Sequence, residues 1–286
     1  MSRIAYVNGR YLPYAQAAVH IEDRGYQFAD GVYEVCEVQG GKLIDERRHL
    51  ERLARSLKEL KIVLPMPLNV LGVVLRETIE RNRVRDGIVY LQVTRGVAKR
   101  DHAFPASDVR PSVVVLARAK DRAKGEATAA AGIPVITVKE NRWDRVDIKS
   151  VGLLPNVLVR QEAREKGAGE AWFVDRDGFV TEGSSSNAWI VTRDKKIVTR
   201  PADHGILRGI TRTVVMDVAK KLGHTIEERP FTVEEALTAA EAFVTAATQI
   251  VMPVVQIDGK PIGNGHPGLV ATTLRAHFYE AAEITG

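Results

Sequence analysis

Lys149 in RVDIKSVGLLPN (145–156) stands between Ile148 and the run Val151, Gly152, Leu153, Leu154. A lysine in such a run either snorkels, burying its stem and keeping its ammonium in water, or turns inward. Desolvation disfavours the charged form, and a neutral amine is a nucleophile able to attack a carbonyl carbon. Its neighbours in the chain leave both readings open.

Other segments present groups that could serve such an amine. FVTEGSSSNAWIV (179–191) ends a strand-like run at Glu182, just before a glycine and three serines. Glu182 is either a turn carboxylate or the acid that keeps a ring nitrogen protonated, as an electron-sink cofactor such as pyridoxal phosphate requires. The serine hydroxyls would bond that cofactor or the loop itself. In HGILRGITRTVVMDVAKKLG (204–223), Gly209 opens a helix with the stripe Ile210, Val214, Val218. Unpaired N–H groups at that helix start, with the Thr211 hydroxyl, would suit a phosphate, and Thr248 in TAATQI offers a second anchor. A plain amphipathic helix is the other reading. Arg52 in HLERLARSL lies about 120° around its helix from the leucine stripe, as a solvated side chain or a bidentate phosphate clamp. Arg100 and His102 in TRGVAKRDHAF are two residues apart, so in extended chain both face one side. They form either a solvated basic loop or a site for one anion.

The elements that must position these groups are hairpins and helices. AYVNGRYL, VQGGKLI, WFVDRDGFVTEG, VTRDKKIVT and VQIDGKPI each place a turn signal between short alternating runs, which predicts a largely antiparallel sheet. Helical periodicity covers 49–62, where Leu50, Leu53, Leu57 and Leu60 make one stripe, and also 67–82, 155–167, 209–222 and 267–284. Hairpins mixed with helices predict an α+β protein. Residues 117–132, charged and then small, lack an apolar stripe and are expected as a linker between domains 1–120 and 121–286.

Composition narrows the chemistry. The chain has 286 residues, 45% of them hydrophobic, and a net charge of +5 from 41 basic and 36 acidic residues, with no basic run interleaved with aromatics. That argues against nucleic acid and suits small anionic ligands. One cysteine, Cys36, rules out an intrachain disulfide framework, and the seven histidines show no metal-ligand spacing. GNGHPG (263–268) fits a dinucleotide pattern but leaves no room for the βαβ unit that must follow. The start MSRIAYVNGRYLPY lacks the apolar core of a signal peptide, and no membrane-spanning run is present, so a cytoplasmic protein is expected.

Taken in order, DRGYQFADGVYEV (23–35), HLERL (49–53), VTRG (93–96) with RDH (100–102), DIKS (147–150), TEGSSSN (181–187), GITR (209–212) and PVVQIDGKPIG (253–263) resemble segments of the fold-type IV pyridoxal phosphate enzymes, the class IV aminotransferases. The D-amino acid aminotransferases among them are most similar, over nearly the whole chain. The resemblance implies a two-domain α+β fold with pyridoxal 5′-phosphate at the domain interface. It implies that Lys149 binds the cofactor covalently and that Glu182 meets the pyridine nitrogen. Arg52, Ile210, Thr211 and Thr248 match the phosphate grip, and Leu207 the apolar residue packed on the ring. Tyr33, Arg100 and His102 match the trap for the substrate α-carboxylate, the last two reaching in from a neighbouring subunit, which implies a homodimer. The implied reaction moves an amino group from a D-amino acid such as D-alanine to a 2-oxo acid such as 2-oxoglutarate. Branched-chain L-amino acid aminotransferase and aminodeoxychorismate lyase share the fold and stand as alternatives. Two departures are a serine in EGSSSN where relatives often carry threonine, and Pro155 where they often carry glycine.

Overall fold

A computed structural model of the chain describes residues 3–286. Its elements run β1 (Ile4–Val7), β2 (Arg10–Pro13), α1 (Arg24–Phe28), β3 (Gly31–Gln39), β4 (Lys42–Ile44), α2 (Glu46–Glu59), α3 (Leu68–Arg81), β5 (Gly87–Thr94) and β6 (Ser112–Ala119). They continue with α4 (Arg122–Ala131), β7 (Ile133–Lys139), α5 (Leu154–Glu165), β8 (Glu170–Val174), β9 (Val180–Gly183), β10 (Asn187–Val191), β11 (Ile197–Thr199) and α6 (Ile210–Lys221). The last are β12 (Ile226–Glu228), α7 (Val233–Thr238), β13 (Glu241–Ala246), β14 (Ile250–Ile257), β15 (Lys260–Pro261), α8 (Leu269–Ala276) and β16 (Ile284–Thr285).

Two compact units divide the chain. The first takes the chain up to Arg122 together with Ile148–Gly152 and Glu283–Gly286, and the second takes Ala123–Asp147 with Leu153–Ala282. A single cut near residue 120 misses these two returns: the Lys149 segment belongs with the first unit, not with a domain of 121–286. The expected linker is also ordered. Residues 117–132 finish β6 and then wind into α4, because alanine-rich chain is a strong helix former even without an apolar stripe.

The first unit is a seven-stranded sheet in the order β16-β4-β3-β5-β6-β1-β2, with every neighbouring pair antiparallel. Its tight hairpins follow from local chemistry, since Asn8-Gly9 (φ 47° and 92°) and Gly40-Gly41 (φ 59° and 84°) adopt the left-handed conformations that two-residue turns need. Helices α2 and α3 bury Leu50, Leu53, Leu57, Leu71, Leu75 and Ile79 against Val32, Cys36, Val38, Val89, Leu91 and Val93. Each such side chain contributes roughly 1.5–3 kcal/mol by leaving water.

Strand alternation carries one carboxylate into this core. Val32, Glu34, Cys36 and Val38 are all buried, while Tyr33 and Val35 point the other way. Glu34 accepts hydrogen bonds from Arg52 Nε and Nη2, both at 2.8 Å, and lies 2.8 Å from His49 Nδ1. Burial alone would raise its pKa, but Arg52 and His49 outweigh it and hold the carboxyl at about 2, below its ordinary 4.5. A carboxylate depressed in the folded state stabilises fully above its unfolded pKa and loses that contribution as pH falls through the folded one. Acidification from pH 4.5 to 2 is therefore expected to remove roughly 3 kcal/mol through this group. Urea midpoints across that window, set against Glu34→Gln, check it; equal pH slopes in the two proteins would contradict the assignment.

The second unit has a nine-stranded sheet, β12-β11-β10-β13-β14-β7-β8-β9, with β15 paired to β14. The expected hairpins β8-β9, β10-β11 and β14-β15 form, but β11-β12, β14-β7 and β7-β8 are parallel. A parallel pair needs a crossover, and α5 supplies it between β7 and β8, packing Val159 and Ala163 on Ile136, Ala171 and Phe173. Trp172, Val180, Ile190, Val198, Phe231, Val244 and Val254 fill the other face. The helix expected over 267–284 is shorter: α8 ends at Ala276, and Ile284–Thr285 pairs with β4 as β16 because a sheet edge outweighs local periodicity. Among the described residues no helix is long and apolar enough to cross a membrane.

Candidate active site

The first unit holds Lys149 at an open strand edge. β4 pairs only with Val38 and Gln39 of β3, leaving the other end of that strand unpaired on this side. Residues 148–152 take the place: Tyr33 N–H donates to the Lys149 carbonyl (3.0 Å), Val151 N–H donates to the Gly31 carbonyl (3.0 Å), and Val32 bridges Ser150. Ile148, buried in the core, anchors the segment. Lys149 is half-buried, with Nζ 4.2 Å from the centre of the Tyr33 ring, so its amine stands against an aromatic face. Tyr33 in turn stacks on Tyr90 at 5.7 Å, and burial, with Tyr33 adding to it, pushes the Tyr90 phenol up to about 12. Lys149 and Tyr33 are thus brought together as the motifs imply.

Arg52 is nearly buried, not a solvated surface residue, and presents two nitrogens to Glu34. One turn further along α2, Ser56 Oγ accepts from Lys149 N–H at 3.4 Å, which places this helix face beside the lysine segment. Arg100 and His102 sit elsewhere in the unit, on an exposed stretch, where both flank Phe28 of α1 at 4.8 and 5.4 Å. They share one ring, but that ring is Phe28 and not Tyr33. Buried Arg24, which the motifs did not single out, anchors this stretch by donating from Nη1 to the Asp101 carbonyl (2.6 Å) while Asp30 pairs with both Arg24 and Arg95.

The second unit brings Asn187 and Leu207 to Glu182 on β9. Glu182 is 5% exposed. Its Oε1 accepts from Arg142 Nη1 (2.5 Å), and its Oε2 accepts from Asn187 Nδ2 (3.0 Å) and Leu207 N–H (3.1 Å). Burial raises the pKa of this carboxyl, opposed by Arg142 and the Leu207 N–H. Asn187 also donates to the Leu207 carbonyl at 2.9 Å, which ties Leu207 to the same carboxylate. Two residues on, Gly209 caps α6 with no side-chain hydrogen bond, and a Cβ there would sit 2.1 Å from Asn187 Oδ1. Only glycine allows that approach. The first turn of α6 then carries Ile210 and buried Thr211, while Thr248 lies exposed in the turn between β13 and β14.

Two carboxylates here escaped the sequence reading. Glu170 is fully buried at the start of β8 and receives the hydroxyls of Ser184 and Ser186, the latter at 2.8 Å. Those two hydroxyls therefore bond a carboxylate of the neighbouring strand β8. Glu140 binds Arg142 through both oxygens, Nε to Oε1 at 2.8 Å and Nη2 to Oε2 at 2.6 Å. A charged residue straight after a hydrophobic strand was the only available signal. Pro155 falls in the first turn of α5, where a missing N–H costs nothing.

Comparison with known proteins agrees with these motifs. The family model described as "Amino-transferase class IV" matches residues 31–257. A D-alanine aminotransferase of Bacillus licheniformis is 44% identical over 91% of this chain and 90% of its own length. One of Staphylococcus haemolyticus is 39% identical over 97% of each. Among solved structures, a branched-chain aminotransferase from the thermophilic archaeon Thermoproteus uzoniensis, with norvaline, superposes with a TM-score of 0.84, at 25% identity, covering 99% of each chain. By a family match over most of its length and relatives this similar, the chain belongs to the class IV aminotransferases, the pyridoxal phosphate-dependent enzymes its motifs resemble.

Proposed function

We propose that this chain transfers the amino group of D-amino acids such as D-alanine to 2-oxo acids such as 2-oxoglutarate. The observation that carries this reading is that relatives named D-alanine aminotransferase align over 91% and 97% of the chain. The branched-chain alternative rests on a shared fold at 25% identity.

The side chains present suit pyridoxal 5′-phosphate. A half-buried amine on an aromatic face, a buried carboxylate for a ring N–H, and a helix start with glycine at its cap are the donor set it needs. When bound, the cofactor supplies the electron sink for bond breaking at the substrate Cα. Lys149 would hold it through Nζ, and the same amine would take the Cα proton of the substrate. Glu182 would keep its ring nitrogen protonated, and Leu207 would pack on the ring. Thr211, the Ile210 N–H, Thr248 and Arg52, the last oriented by Glu34, take the phosphate. The enzyme is read as cytoplasmic.

Tyr33, Arg100 and His102 would fix the substrate carboxylate, with Arg100 and His102 offered from the exposed stretch after β5 to the site of a second copy in a homodimer. Fixing the carboxylate while the Cα hydrogen faces Lys149 selects the enantiomer. Replacing Arg100 and His102 together by alanine is expected to raise KM for D-alanine about 10- to 100-fold, the loss of charge-assisted hydrogen bonds, and to narrow the preference over L-leucine. Steady-state kinetics on both enantiomeric series check this. Undiminished D-alanine turnover would remove the trap, and turnover independent of any 2-oxo acid would move the assignment to the lyase class.

A further inference from the structure

Arg142 is a buried guanidinium shared by two buried or half-buried carboxylates. Glu140 grips it side-on through Nε and Nη2 and also accepts from its backbone N–H at 3.1 Å, while the Phe173 ring lies 4.3 Å beneath it. Thr181 Oγ1 donates to Glu140 at 2.9 Å and so fixes that acid. Two hydrogen bonds to Glu140, a third from Nη2 to Thr181 Oγ1 (3.4 Å) and a flat ring fix the guanidinium, with Nη1 directed at Glu182 Oε1. Bidentate pairing of this kind defines position as well as charge.

With both acids ionised the charges of the cluster do not cancel: Glu140 and Glu182 then carry two negative charges, and among the described residues Arg142 is the ion-pair partner of both. One negative charge remains, and a protonated ring nitrogen at Glu182 would balance it. Without the guanidinium, Glu182 would face the cost of ionising in a desolvated site and would take up a proton instead. A neutral acid could not hold a ring N–H as its counter-ion.

Resting on the role proposed for Glu182, we propose that Arg142, aimed by Glu140, is a positioning residue that keeps Glu182 ionised and directed, so that the site selects the protonated ring of its cofactor. Arg142 need not touch the cofactor for this. It acts by controlling the charge and orientation of the group that does.

The test compares affinities of the apoenzyme for pyridoxal 5′-phosphate and for its 1-deaza analogue, whose ring nitrogen is replaced by C–H. Dissociation constants are read from cofactor absorbance and intrinsic fluorescence, without turnover. The native chain is expected to prefer the pyridine form by about tenfold or more, the worth of a charge-assisted hydrogen bond. Arg142→Met should cut that preference to about threefold or less. A purely structural role would weaken both forms by the same factor and leave the ratio intact, which would overturn the proposal. Should that variant fail to fold, Arg142→Gln removes the charge while keeping a hydrogen-bonding side chain, and an unchanged ratio there would overturn it equally. If the native chain and Glu182→Gln show no difference between the two forms, the role of Glu182 itself is wrong, an outcome separable from failure at Arg142.

Discussion

Lys149→Ala is expected to lower kcat for D-alanine transamination by on the order of 10³-fold or more, with little change in folding. The chemical loss is large because one amine is assigned both the attachment of the cofactor and the removal of the Cα proton, and alanine can do neither. Folding should survive because the segment is held by groups the substitution keeps: the Lys149 carbonyl still accepts from Tyr33, Val151 still donates to Gly31, and Ile148 still fills the core. What disappears is the contact of Nζ with the Tyr33 ring, worth about 0.5–1 kcal/mol or somewhat more in a half-buried place. Steady-state assays with 2-oxoglutarate, thermal melting, and equilibrium dialysis of pyridoxal 5′-phosphate are the measurements. Retention of more than about a tenth of kcat would contradict a role worth several kcal/mol. Residual cofactor binding is expected, since the phosphate contacts remain.

Glu182→Gln should cost the second largest factor, about 10²- to 10³-fold in kcat, with KM for the amino acid changing far less. Glutamine preserves volume and can still accept from Asn187 and Leu207 through its carbonyl, so the loop geometry is kept. It cannot act as counter-ion to a ring N–H. The variant also leaves Arg142 with Glu140 as its only carboxylate partner in the cluster, where Oε1 of Glu182 now receives the guanidinium. Removing one member of a buried charged set typically costs about 3–5 kcal/mol, so a lower melting temperature should accompany the kinetic loss. A kcat within about threefold of the native value would show that the carboxylate does not govern the electron sink. Kinetic and melting data together separate that result from simple unfolding.

The weight of these two residues is reflected in how differently they are built. Lys149 depends on strand pairing: its backbone completes an edge that β4 leaves open, and its side chain is free to engage a ligand. Glu182 depends on side-chain and backbone donors from three directions, one of which, Arg142, is itself fixed by Glu140. Substitutions at Arg142 therefore act directly on the carboxylate and those at Glu140 act through Arg142, while substitutions around Lys149 act through Tyr33.

Much was legible because it is local. Asn8-Gly9, Gly40-Gly41 and Asp258-Gly259 specify their hairpins through backbone conformations that few other residue pairs tolerate, and the stripes of α2, α3, α5 and α6 place those helices within a few residues. The ordered motifs around Lys149, Glu182 and Gly209 identify the family. Strand periodicity even puts Glu34 on the core face with Val32 and Cys36. What periodicity does not carry is the partner: that Glu34 meets Arg52 and His49 depends on how α2 lies across the sheet. The parallel pairs of the second sheet, the transfer of Ile148–Gly152 to the first unit, the return of β16 to β4 and the Glu140-Arg142-Glu182 cluster were likewise settled by tertiary packing. Each joins segments far apart in the chain to satisfy a buried charge or an unpaired backbone edge, a condition set by the whole fold and not by any short stretch.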